Sequence, residues 1–280
     1  MPYITHLPQR GVISVRGADR VAFLNGLVSN DVARAEPGQA VWAALLTPQG
    51  RYLVDFFILA DDGVLLLDTP LDSVPGLLAR LNRFKLRAAV ELADASAQYF
   101  VYATWAGVPP PIPVTAPDPR LPEAGFRSLS ETEMKTNVSP ADYAAHRLAL
   151  GLPDGPPDLE PDKTLLMEAG FDELGGIAWD KGCYMGQELT ARTKYRGLVR
   201  RRLVPVALDG PAPPYGTAIL ADGVEVGTLR SAAGSLALAS LRLDALDKPL
   251  FAGTARLSPK IPVWMALEPR PDATQLQNGA

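Results

Sequence analysis

Cysteine is the residue this chain has least of: one, Cys183, in 280 residues. A single thiol cannot close an intramolecular disulfide. A disulfide-stapled secreted scaffold is therefore excluded, and a reducing compartment fits. Histidine is nearly as scarce, with only His6 and His146. One cysteine and two scattered histidines make neither a closed zinc site nor the four ligands of an iron–sulfur cluster. No apolar stretch approaches the roughly 18 residues of a membrane helix. The longest, near VLLLD at 64–68, is strand-sized. The start, MPYITHLPQRGVISVRG, has neither the basic-then-apolar pattern of a secretory signal nor the look of a transit peptide. Glycine-rich phosphate loops and internal repeats are also missing. The net charge of −4 argues against a nucleic-acid coat. These absences describe a cytoplasmic protein with no membrane role and no direct nucleic-acid binding.

Hydrophobic residues make up 47% and charged residues 21% of the chain, enough for a sizeable core in two or three modest domains. Residues 11–17 alternate like a strand. Residues 18–32 suggest a helix capped by Asp19, with Val21, Leu24, Leu27 and Val28 at helical spacing. Residues 40–68 read as strand, PQG turn, strand, DDG turn, strand. A second helix is expected within 71–84, starting near Ser73 or Pro75, and a strand over 86–94. The proline-dense stretch 107–123 reads as an irregular connector. A helix follows over 139–153, capped by Ser139 and stopped at Gly151. Beyond Arg202 only short strands and turns remain. Mixed elements without a βαβ rhythm indicate an α+β fold. The expected division is an N-terminal α+β domain (1–106), a central segment (107–202), a C-terminal β-barrel (203–268) and a disordered tail (269–280).

The lone cysteine lies in DKGCYMGQE, residues 180–188. Gly182 and Gly186 suggest a tight loop with close backbone approach, and QELTART from Gln187 can begin a helix. A thiol just ahead of a helix and near Lys181 would gain thiolate character. Four readings stay open for Cys183: a buried apolar residue, a nucleophile paired with His146, one ligand of a shared or transient cluster, or a reactive thiol at a pocket edge. Further on, KYRGLVRRR (194–202) has five basic residues in nine. It is either a solvated strand edge or a cationic patch for carboxylates or phosphates. In a strand, Arg200 and Arg202 would face one side and Arg201 the other.

The stretch DKGCYMGQELTARTKYRGLVRRRL closely resembles the K-G-C-[FY]-x-G-Q-E signature of the YgfZ-type folate-binding proteins, bacterial relatives of a mitochondrial iron–sulfur assembly factor. FLNGLVSNDV (23–32), LLTPQGRYLVDFFIL (45–59) and the approach to the motif from 147 to 183 extend the resemblance to about Leu208. It implies a fold like that of the glycine-cleavage T protein, a multi-domain arrangement around a central opening with a C-terminal barrel. It also implies tetrahydrofolate, or a derivative, as ligand, and a role in maturing [4Fe-4S] proteins, radical-SAM tRNA-modifying enzymes among them. The implied partners are iron–sulfur assembly or carrier proteins and their [4Fe-4S] clients.

On this resemblance Cys183 is the working thiol, reactive or in transient contact with an iron–sulfur cluster, and Lys181 favours its thiolate. Gly182, Tyr184, Gly186, Gln187 and Glu188 build the loop, with Arg192 as a charge partner. Asp55, Arg147 and Glu168 are the candidate folate contacts. The T-protein pattern carries two adjacent acids after the QG turn, whereas QGRYLVDFF has only Asp55, with Val54 beside it. That departure weighs against the alternative function, a folate-dependent aminomethyl or other one-carbon transferase. Asp55 could still bond a pterin edge, or simply be an outward polar residue on a strand. Arg147 could reach folate carboxylates, or lie on a helix surface.

Overall fold

The computed structural model describes residues 1–197 and 199–267. The chain opens with β1 (Tyr3–His6), β2 (Arg10–Arg16) and the short helix α1 (Arg20–Asn25). β3 (Val41–Leu46), β4 (Tyr52–Asp61) and β5 (Val64–Pro70) form the expected antiparallel meander. The tight β4–β5 turn needs two left-handed residues, and Asp62 and Gly63 supply them (φ 23° and 79°). Helix α2 (Val74–Lys85) and β6 (Glu91–Asp94) follow. β7 (Phe100–Trp105), β8 (Val114–Pro117) and β9 (Phe126–Ser130) lead to α3 (Pro140–Leu150). After a long loop come α4 (Gln187–Tyr195) and six strands: β10 (Arg201–Asp209), β11 (Ala218–Ala221), β12 (Val224–Ala233), β13 (Leu236–Arg242), β14 (Leu250–Ala252) and β15 (Ala255–Pro259).

Three sheets result. One is β3-β4-β5-β2-β6, a second is β1-β7-β9-β8, and the third is a closed barrel, β10-β13-β12-β11-β14-β15. The boundary expected at residue 106 falls inside the second sheet, between β7 and β8. The tail expected over 269–280 lies outside the described residues. No helix among the described residues is long and apolar enough to cross a membrane.

Several elements differ from the sequence expectation for identifiable reasons. The helix expected over 18–32 stops at Asn25, because β3 offers its edge: Val28 bridges to Leu45, and Ser29 N donates to Ala44 O at 2.9 Å. Asp19 does not cap α1 with its side chain; Oδ2 instead accepts from Ala89 N at 2.7 Å. The proline-dense connector contributes β8, an edge strand, where proline is tolerated. Helix α3 forms as expected, with a reciprocal capping box between Ser139 and Asp142 and a left-handed Gly151 at its end.

A layer of buried charge ties the first two sheets to α3 and its following loop. Arg10 on β2 donates to Asp68 Oδ1 (2.6 Å) and to Asp154 Oδ1 (2.8 Å). Arg127 on β9 donates to the Tyr143 hydroxyl at 2.9 Å, and its guanidinium lies 4.4 Å from the Phe57 ring centroid. Arg120 and Asp118 form a two-point pair. The charges of such a layer are costly to bury, and removing one partner would cost about 3–5 kcal/mol.

Candidate functional site

The segment from Gly175 to Gly186 is fastened to the loop that leaves α1. Asn30 Nδ2 donates to Gly175 O (2.7 Å), Ser29 Oγ to Gly176 O (2.7 Å) and Ala178 N to Ser29 O (3.1 Å). Arg34 holds both oxygens of Asp180, at 2.8 and 2.7 Å. Lys181 Nζ donates to the carbonyls of Asn25, Val28 and Asn30 at 2.7, 2.9 and 2.7 Å. Met185 N closes the clamp on Gly26 O at 3.3 Å. FLNGLVSNDV and DKGCYMGQE, far apart in sequence, are thus two halves of one construction.

Gly186 begins α4 in a left-handed conformation (φ 81°) against the turn between β3 and β4. Gln187 folds its side chain back, and Oε1 accepts from Tyr184 N at 3.1 Å. This is the loop-orienting role expected of it. Glu188 and Arg192 are both exposed and form no ion pair with each other among the described residues. The charge partnership expected between them is not made.

Cys183 is exposed, as is Gly182, so the buried-cysteine reading is overturned. His146 is half-buried elsewhere: it stacks on Trp105 (centroids 5.1 Å apart) with Nε2 3.0 Å from Glu123 O. Among the described residues no group of three or more His, Cys, Asp or Glu could hold a metal ion. Lys181, expected to support the thiolate, spends its three protons on backbone carbonyls. Burial draws its ammonium down to about 8, against the pull of Asp31. Three convergent carbonyls are what an ammonium needs in such a place. Beneath it, 5.1 Å from Nζ, lies the centroid of the Tyr184 ring, whose phenol burial pushes up to about 12.

The three candidate ligand contacts separate. Asp55 is turned into the core, not outward: Trp42 Nε1 donates to Oδ2 (3.0 Å) and the Tyr52 hydroxyl to Oδ1 (2.7 Å). Burial raises its carboxyl, with the Arg10 charge opposing. Arg147 is buried too, not on a helix surface, with Nη1 2.6 Å from Asp158. Neither lines either of two cavities found beside the barrel. Glu168 does. It is half-buried, its carboxyl raised by burial, and it opens onto a cavity of about 330 Å³ with Arg51, Arg201 and Arg230. A larger cavity of about 800 Å³ lies between α4 and β10 and takes Arg200, Arg201 and Arg202 together. Of these three arginines only Arg201 also lines the smaller cavity, and Arg200 precedes the strand. Cys183 lines neither cavity.

Residues 200–267 match the C-terminal β-barrel domain of CAF17. The chain is 31% identical over 288 residues to "Iron-sulfur cluster assembly factor IBA57, mitochondrial" of Mus musculus, covering 89% of this chain and 80% of the mouse protein. The chain belongs to the IBA57 family. The human IBA57 is 30% identical, with 92% of this chain and 84% of that protein covered. An IBA57 homolog of Mycosarcoma maydis is 38% identical over 237 residues, where this chain spans 59% of the fungal protein. In fold, this IBA57-family chain is similar to the glycine cleavage system aminomethyltransferase T of Bartonella henselae, with a TM-score of 0.74 over 94% of this chain and 86% of that one. At 15% identity that likeness concerns the fold alone.

Sequence reasoning missed the buried charge layer in this IBA57-family chain. Arg10 and Arg127 look like ordinary strand residues. Only the Asp118-Pro-Arg120 spacing, which pairs with itself, carried a local signal.

Proposed function

We propose that this chain is an iron–sulfur cluster assembly factor whose working group is the Cys183 thiol. The observation that carries the proposal is the contrast within one loop. Asp180, Lys181 and Met185 are tied to the α1 loop, while Cys183 between them is exposed. A thiol held out on a fastened loop, with no set of metal ligands among the described residues, is arranged to meet something another molecule brings. The names of the IBA57 relatives point the same way. Iron–sulfur carrier proteins and [4Fe-4S] clients, radical-SAM tRNA-modifying enzymes among them, are the proposed partners. The proposed compartment is the cytoplasm, where an exposed thiol stays reduced.

Tetrahydrofolate is the proposed ligand, held at Glu168. A carboxylate can accept two N–H bonds from an aminopyrimidine edge. Arg51, Arg201 and Arg230 around the same cavity suit a ligand that carries carboxylates. Asp55 does not fit this role, since its two oxygens already have donors.

The test replaces the native gene with Cys183→Ala in a strain lacking it, and follows [4Fe-4S] enzyme activities. Wild type restores them; the variant is expected to fold and not to. Full recovery with Cys183→Ala would sink the thiol assignment. Calorimetry with tetrahydrofolate tests the ligand separately. Glu168→Gln should weaken binding by about tenfold or more, the equivalent of one charged hydrogen bond. Absence of binding to the wild type removes folate from the proposal.

A further inference from the structure

The larger cavity is bounded by the C-terminal part of α4, the turn with Asp172 and Glu173, the start of β10 and the turn after β13. Three of its cations are matched by acids: Lys194 by Asp172 (3.0 Å), Arg202 by Glu173 (2.6 Å), and Arg242 by Asp244. Arg200 and Arg201 line the same space and make no ion pair among the described residues. Arg202 adds a second, independent sign. It is only 5% exposed, it lines the cavity, and its Nε has no hydrogen-bond partner among the described residues. A buried guanidinium N–H without an acceptor is costly. Arg200 has no charge partner among the described residues, Arg201 shares its charge with Glu168 alone, and an anion entering the cavity would supply the acceptor that Arg202 Nε lacks. Among the described residues no aromatic ring lines the cavity, so these residues offer no platform for stacking a nucleobase.

We propose that this cavity binds a polyanion, a ligand with two or more closely spaced carboxylates or phosphates, through Arg200, Arg201 and Arg202. Guanidinium groups match both kinds of oxyanion in two-point geometry. The proposal goes beyond the folate reading and does not depend on it.

The test is calorimetric titration of the full chain with two probes, inorganic tripolyphosphate and tetraglutamate, at low and physiological salt. Three proteins are compared: wild type, the Arg200→Ala/Arg201→Ala double variant, and an Arg83→Ala/Arg87→Ala control. The control residues are exposed, in and just beyond α2, and remove the same charge. Saturable binding is expected for at least one probe, weaker at higher salt. It should fall at least about tenfold in the Arg200/Arg201 variant and change little in the control. The tighter probe tells whether phosphate or carboxylate is the natural chemistry. No saturable binding of either probe, or equal loss in both variants, would overturn the proposal. Neither probe contains a pterin, so failure of folate to bind leaves this result standing.

Discussion

Gly50 and Gly186 meet backbone to backbone. A Cβ on Gly186 would stand 2.9 Å from Gly50 Cα and 2.5 Å from Thr47 O, and a Cβ on Gly50 would stand 2.7 Å from Gly186 O. Both residues are left-handed, with φ of 77° and 81°. The PQG turn and the start of α4 therefore close on each other only because neither side carries a side chain. This contact places the motif loop against the N-terminal meander.

Gly186→Ala is expected to destabilise the fold by about 2 kcal/mol or more, from left-handed strain and overpacking together. Gly182 belongs to the same motif but has open space around it and no left-handed φ. Gly182→Ala should stay within about 0.5 kcal/mol of wild type. Denaturant midpoints of the two variants decide the matter. Equal losses would mean that the close approach at Gly186 is not what fixes the loop.

Lys181 acts on the loop through its three carbonyl partners, so geometry matters there more than charge. Lys181→Met should speed amide exchange across 180–186 by about tenfold, the loss of a charged hydrogen bond from local stability. Lys181→Arg keeps the charge but brings a planar fork that does not match three convergent carbonyls. It should behave like the methionine variant in exchange. If arginine restores wild-type protection, the positive charge alone is what the loop needs.

The parts of this protein that were legible in sequence are those whose cause is local. The Asp62-Gly63 turn, the Ser139 cap and the short strands of the barrel each carry their own turn or cap chemistry. The end of α1 was not legible, because it is decided by the edge of β3, residues away in sequence. The fate of Asp55 was hidden for the same reason: Trp42, on the neighbouring strand, supplies one of its donors. In the candidate site, the motif residues could be named, but their division of labour could not. That Lys181 serves carbonyls rather than the thiol depends on a loop more than 150 positions earlier. Glu168 was a weaker candidate than Asp55 in sequence, and its place on the wall of a cavity depends on where the barrel packs.

His146 gives the fold a calculable response to acid. Burial against Trp105 lowers its pKa below the ordinary 6.5, although the bond to Glu123 O and the charge of Asp118 both work the other way. Above that value the imidazole is neutral in both the folded and the unfolded chain. As pH falls through about 6.5, the unfolded chain takes up a proton that the folded chain resists. This residue's contribution to stability is therefore present near neutrality and is lost on acidification, down through the folded-state value. His146→Phe keeps an aromatic ring on Trp105 and removes the titration. The test is thermal unfolding of both proteins at several pH values between about 5 and 7. The wild type is expected to lose more stability than the variant over that range, since all other titrating groups are shared. Superimposable profiles would show that the ring titrates alike in both states and that its burial carries no acid sensitivity.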